Sequence, residues 1–348
     1  MDVGLSAEQH QLVESFTGLF AGASPPERVR AAEPLGFDAG LWETVRSAGA
    51  VPMAVGEDAG GWGAGPLDLA LLAEVHGRFL APVPVIEAQV AARLLARIGT
   101  PRAGVALAAA LAGERTVTVA VHPAAGGTAR LVPAGAAADD ALVVDGDRLL
   151  LVPARGAPVA NLGSMPLADL PLGRDAEVLA GGPEAGAAHE AAQDEFLLLT
   201  AAAQVGIAAR ALEIGVGYVS ERRAWNVPIG SFQSVAHALA DSAAAIDGAR
   251  LLVHEAAWAA TEDPARFAEL AAMAFAFAAE TARDATYRSL HFHGGYGFTD
   301  EYDVQLYYRR ARGWAGVCLE PNAAYRRAAD RRYGPARMER MEKQWTSV

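Results

Sequence analysis

Residues 290–314, LHFHGGYGFTDEYDVQLYYRRARGW, set His291 and His293 beside Gly294, Gly295 and Gly297, then add tyrosines and the basic cluster Arg309, Arg310 and Arg312. Glycine adopts backbone angles that other residues resist, so such a loop lets the chain come close to a large planar or phosphorylated ligand. The same glycines would equally serve to end a helix. The arginines would face a partner subunit or an anionic ligand, or form a solvated basic face. His10, His76, His122, His189, His237 and His254 are scattered without the paired spacing that zinc needs, and one cysteine, Cys318, adds little, so no metal site is expected. There is no Gly-Lys-Ser phosphate loop and no Gly-x-Ser-x-Gly nucleophile elbow.

The elements that would position these residues follow from composition and periodicity. The chain has 348 residues, 52% hydrophobic and 20% charged, enough for two or three domains around a substantial core. A net charge of -12 argues against nucleic acid as a partner, because phosphate binding needs a basic footprint. No apolar run comes near the length needed to cross a bilayer without charges, and the amino terminus lacks the pattern of a signal peptide. With a single cysteine and hence no internal disulfide, a cytoplasmic protein with no membrane partner is expected.

Three stretches differ in grammar. Residues 1–112 read as helices, with Ser6 as an N-cap and VGEDAGGWGAG as a glycine-rich turn. Residues 113–187 read as a small β domain of short β-branched runs, clearest in VVDGDRLLLV, where Asp145-Gly146 suits a hairpin turn. Residues 188–348 return to long apolar-periodic helices, four of them joined by short loops, the last starting near Asp303, which implies an up-and-down four-helix bundle. The fold class is mostly α with a small β domain.

In this order, and in three quoted stretches, the chain resembles the acyl-CoA dehydrogenases, flavoproteins with a helical amino-terminal domain, a β middle domain and a helical carboxy-terminal bundle. LWETVRSAGAVPMAVGEDAGGWGAGPLDLALLAEVHGRFLAPVP resembles the amino-terminal block of that family. SERRAWNVPIGSFQSVAHALAD is similar to its Arg-x-x-Phe-Gly bundle motif, and HFHGGYGFTDEYDVQLYYRRAR to its Gln-x-x-Gly-Gly-x-Gly-Phe motif. The resemblance implies FAD as cofactor, with Arg222 on the pyrophosphate, Trp225, Phe232 and Gln233 beside the cofactor, and the loop of His291, Gly294, Gly295 and Gly297 reaching it from a neighbouring subunit. Departures are visible: His291 stands for glutamine, Trp225 for phenylalanine, and Asn226 for glycine, the best non-glycine choice if φ is positive there.

The resemblance also implies a reaction, α,β-dehydrogenation of an acyl thioester carried by coenzyme A or by an acyl carrier protein. That reaction needs a carboxylate to take the proton beside the thioester carbonyl. A direct register with the family puts Cys318 on the base, with Glu320 two residues further on, and Glu320 either serves or caps the next helix. In other family members the base opens the first bundle helix. Phe196 falls there, and Glu195 lies one residue, about 100°, away, so it either serves or stays exposed at the helix start. The middle domain lacks the family's Thr-Glu-Pro-x-x-Gly-Ser-Asp-like segment and looks shortened. It resembles one subunit type of actinobacterial dehydrogenases built from two different chains. The implied protein is therefore an acyl-CoA dehydrogenase or one subunit of it, in a homo- or hetero-oligomer with a homologous chain. The alternatives are a non-redox acyl-thioester enzyme such as a dehydratase, or a catalytically silent structural subunit.

Overall fold

A computed structural model describes residues 4–334. The amino-terminal part is helical: α1 (Ala7–Ala23), α2 (Pro26–Ala31), α3 (Ala39–Ser47), α4 (Pro66–Phe79), α5 (Val85–Ile98) and α6 (Pro101–Leu111). Ser6 caps α1 through a capping box with Gln9, as its sequence suggests.

The middle part carries β1 (Val117–Val119), β2 (Thr128–Val132), β3 (Asp140–Asp145), β4 (Arg148–Pro153), β5 (Ala168–Pro171) and β6 (Glu177–Gly181). Four strands form a sheet in the order β1-β3-β4-β6, and β2 pairs with β5. The β3–β4 hairpin turns on Gly146-Asp147, one residue later than the sequence suggests, because Asp145 is itself paired with Arg148 and Gly146 takes φ +61°. Both faces of β3 are covered. Leu142 and Val144 point to the main core, while Ala141 and Val143 point to a small separate cluster with Ala129, Val132 and Leu170. A strand buried on both faces reads as an unbroken apolar run, which is why DALVV shows no alternation.

The carboxy-terminal part contains α7 (Pro183–Glu221), α8 (Gln233–Glu262), α9 (Pro264–His293), α10 (Val304–Cys318) and α11 (Pro321–Tyr333), with a two-residue-strand hairpin, β7 (Arg223–Ala224) and β8 (Val227–Pro228), between α7 and α8. The first bundle helix thus starts at Pro183 rather than at 188, and α11 adds a fifth helix to the expected four. By length and composition α7 is the one helix among the described residues apolar enough to cross a bilayer, though Glu195, Arg210 and Glu213 interrupt it. Its most apolar stretch is 72% buried among the other helices of the protein.

The helix α7 packs tightly on α4. A Cβ on Gly206 would lie 1.9 Å from the Glu74 carbonyl oxygen, and one on Gly77 would lie 2.0 Å from that of Ala203. Only glycine permits two backbones to approach this closely. The crossing brings the amino-terminal helices and the bundle into one continuous core.

Candidate functional site

A mostly apolar cavity of about 40 Å³ lies where α4, α5, α7 and α10 meet the 162–166 loop. It holds room for two or three waters, at roughly 10–15 Å³ each. Its apolar walls include Leu80, Ile86, Met165, Phe196 and Trp314, and its polar groups are His76, Glu87, Ser164, Thr200 and Arg310. A largely apolar pocket with a few convergent polar groups is the usual form of a small-molecule site.

Each polar group has an identifiable cause for its position. His76 is buried, with Nε2 2.9 Å from the Ala81 oxygen and 3.1 Å from that of Val83. Burial pushes its pKa down to about 4, so the ring is neutral and Nε2 donates to those carbonyls. It thereby ties down the 80–84 turn that forms one wall, where Leu80 takes the left-handed φ of +48°, a conformation that costs about 1–2 kcal/mol in a residue with a side chain. The ring also stacks on Trp314, centroids 5.3 Å apart. Trp314 Nε1 donates to the Gly163 oxygen at 3.2 Å, holding the 162–166 loop against α10.

Arg310 is 2% exposed and turns inward onto Glu33 with N···O 3.2 Å, and burial lowers its pKa to about 10. Arg309 pairs with the same Glu33. Two of the three arginines thus turn inward onto Glu33, while Arg312 is exposed and lies over the Tyr308 ring at 5.7 Å.

Glu87 occupies the first turn of α5 and lines the cavity. Burial pushes its carboxyl up to about 7. It has no ion-pair partner among the described residues. Cys318 lies near it, 3.5 Å from the Thr200 hydroxyl. Burial pushes that thiol up to about 12, and the charge of Glu87 works in the same direction. At neutral pH Cys318 is a thiol, so the residue on the expected base position is not a base.

Neither carboxylate singled out in the sequence lines this cavity. Glu320 is exposed at the N-cap position of α11 and makes no side-chain capping bond. Glu195 is not exposed at a helix start, as one reading had it. Because α7 begins twelve residues earlier, at Pro183, Glu195 lies inside the helix, buried, 2.5 Å from Arg97 and 3.1 Å from Arg93. It lines a separate small cavity, while its neighbour Phe196 faces the main one, as the helical turn of about 100° per residue requires.

The residues expected at a cofactor lie at one end of the bundle, where α7 and α9 finish and α8 begins. Tyr218 of α7 stacks on His293 of α9 at 4.0 Å and joins the two motifs. On the α7 side Arg222 and Gln233 are exposed and Phe232 is half-buried. Trp225 is 87% exposed, edge-on to Phe232 at 5.8 Å. Trp225 and Asn226 both take positive φ, +48° and +63°, which closes β7–β8 in a tight primed turn. On the α9 side His291, Gly294 and Gly295 are exposed, while Gly297 is buried against Leu290 and His293.

Within the chain, these features are only partly explained. Gly294 ends α9 with φ +62° and ψ −143°, a conformation nearly confined to glycine. A Cβ on Gly294 or Gly295 would meet no atom within 4 Å. Arg222 has no carboxylate partner among the described residues, a free guanidinium beside an exposed aromatic ring. Open glycine backbone, a free planar cation and exposed aromatic area fit a flat, pyrophosphate-bearing group such as FAD.

Sequence reasoning missed Glu87. Its signal is a single carboxylate within the buried apolar run PVPVIEAQVAA, between buried Ile86 and Ala88. A first-turn acid on a helix is also favoured electrostatically, and that masks the signal.

The model of the family described as "Acyl-CoA dehydrogenase, C-terminal domain" matches residues 196–315. Acyl-CoA dehydrogenase IpdE2 of Mycolicibacterium smegmatis is 31% identical over 329 residues, covering 93% of this chain and 98% of that protein. Acyl-CoA dehydrogenase FadE27 of Mycobacterium tuberculosis is 31% identical over 315 residues, covering 79% of this chain and 83% of that one. Among solved structures, the ChsE4-ChsE5 complex from Mycobacterium tuberculosis matches with a TM-score of 0.86 and 28% identity, over 96% of this chain and 99% of that chain.

Proposed function

Because this chain belongs to the acyl-CoA dehydrogenase family, we propose that it is one chain of a cytoplasmic, flavin-dependent enzyme that desaturates an acyl thioester between its α and β carbons. The observation that carries this reading is the open end of the bundle. Arg222, Trp225 and Gln233 on one side and Gly294 and Gly295 on the other present donors, rings and bare backbone that the chain itself does not cover. Arg222 would hold the cofactor's pyrophosphate with two parallel N–H donors. Trp225 and Phe232 would pack on its flat parts, and the backbone at Gly294 and Gly295 would close over the cofactor of a neighbouring subunit. When bound, FAD supplies the acceptor for the hydride from the β carbon.

The likeness to a two-chain complex supports a heteromeric assembly with a homologous partner. We place the acyl end in the cavity beside Phe196 and Thr200. A second reading, that this chain is the catalytically silent member of such a pair, is favoured by the neutral thiol of Cys318 and by the exposed position of Glu320.

Anaerobic titration separates the two. The purified chain, alone and after co-expression with a homologous acyl-CoA dehydrogenase chain, receives acyl-CoAs of increasing length while the flavin absorbance is followed. Bleaching is expected in at least one preparation. Protein that carries flavin but bleaches with no acyl-CoA contradicts the dehydrogenase reading.

A further inference from the structure

We propose that a second cavity of this chain binds a small monocarboxylate with an apolar body, at a place separate from the open end of the bundle. This cavity, of about 310 Å³, lies where the turn from α1 to α2, the end of α4, the middle of α7 and the start of α10 meet. Small-molecule sites usually enclose about 300–1,000 Å³. The cavity beside Phe196 is far smaller, and Leu80 walls both.

The head group of the ligand follows from the charged walls. Arg78 and Arg210 line the space, and no carboxylate is among its lining residues. Both arginines pair with Glu213, which is not one of the walls: Arg78 gives it two N–H groups, each at 2.7 Å, and Arg210 gives one at 2.9 Å. A guanidinium carries five N–H donors, so the pairing holds both side chains in place and leaves most of their donors for a ligand. Glu74, whose charge also reaches Arg78, is bonded to Arg250. The Tyr307 hydroxyl donates to the Arg78 carbonyl at 3.0 Å, and burial pushes its pKa up to about 12, so it adds no negative charge. Two cations on one carboxylate suit one more negative charge. A planar carboxylate meets a guanidinium fork with two bonds at once.

The other walls are mostly apolar, with Val29, Phe79 and Leu306 beside Pro25 and Pro26, so the carboxylate must bring an apolar body with it. At the roughly 30 Å³ that a water takes in the liquid, the volume accepts about ten non-hydrogen atoms. The space is braced rather than left by poor packing. Each proline fixes its own φ, Ser24 Oγ donates to the Phe79 oxygen at 3.4 Å, and Arg28 ties the Ala23 oxygen, at 3.1 Å, to Asp38. A bound ligand also braces Leu80, whose left-handed φ of +48° sets the wall of the smaller cavity.

Calorimetric titration of the purified full-length protein with octanoate, which matches the volume, tests the site, with octan-1-ol and inorganic phosphate as contrasts. Octanoate should bind, and each contrast should bind at least roughly 10-fold more weakly. Arg210→Gln should weaken octanoate roughly 10- to 100-fold, the loss expected of a hydrogen bond to a charged group, and leave octan-1-ol unchanged. Ala21→Trp sets a ring at the edge of the cavity and should abolish octanoate binding. Both residues are exposed, so both variants should melt with the parent. Octanoate bound by both variants as tightly as by the parent overturns the proposal, since the acid then sits elsewhere, the cavity beside Phe196 included. Absence of octanoate binding overturns it as well. Octan-1-ol bound as tightly as octanoate rules out the charged head, and phosphate bound as tightly rules out the apolar body.

Discussion

Glu87 sets a sign on how stability depends on pH. Its folded-state pKa is raised from 4.5 to about 7, so between those values the folded chain holds a proton that the unfolded chain releases. Stability contributed by the protonated form is complete below about 4.5 and is lost as pH rises to about 7. His76 acts in the opposite direction. Its pKa falls from 6.5 to about 4, so its contribution is complete above 6.5 and is lost as pH falls toward 4. The two oppose each other where their windows overlap, and the difference between variants reads each one cleanly. Thermal melts should show Glu87→Gln gaining on the parent chain as pH rises from 4.5 to 7, then holding a constant lead. His76→Phe keeps a ring against Trp314 but removes the Nε2–H donor shared by the Ala81 and Val83 carbonyls, which each keep one backbone donor, from Val83 and Val85. A hydrogen bond is worth about 0.5–1.5 kcal/mol net, so denaturant melts should place this variant lower by about that much. A His76→Phe protein as stable as the parent would mean that the 80–84 turn does not depend on this ring.

Two elements have constraints that a melting curve can test. At the α4–α7 crossing, Gly206→Ala would force a methyl to within 1.9 Å of the Glu74 oxygen. The helices must separate, and overpacking of this kind costs about 1–3 kcal/mol. An unchanged melting temperature would place the two helices further apart than described. In the β7–β8 hairpin, Trp225 holds a left-handed conformation that suits glycine far better. Trp225→Gly should therefore melt no lower than the parent, while retaining less FAD because the exposed ring is gone. Equal FAD retention would show that this ring does not touch the cofactor. Much of this level was legible in the sequence. Ser6 capping α1, Gly294 capping α9 and the hairpin near Gly146 are local signals, written within a few residues of where they act. The start of α7 was not, because Pro183 opens a helix whose first turns carry alanine and glycine and give little periodicity. Nor was the inward turn of Arg310, whose partner Glu33 stands far away in the chain.

The whole molecule shows why one site was easier to read than the other. The open end of the bundle is built from two short motifs, and each keeps its residues together in the chain from Arg222 to Gln233 and from His291 to Gly297. The cavity draws one or two residues from each of α4, α5, α7 and α10 and three from a loop of the β region, so only the folded chain assembles Glu87 with Thr200 and Trp314. The central claim is that the open end holds FAD, and the most direct measurement is the FAD dissociation constant of the purified assembly, by absorbance and fluorescence, before and after Arg222→Ala. A hydrogen bond to a charged group is worth about 1.5–3 kcal/mol, which predicts affinity weakened roughly 10- to 100-fold with the melting temperature of the apoprotein unchanged. A colourless assembly that takes up no added FAD, or an Arg222→Ala variant that binds it as tightly as the parent, would contradict the account.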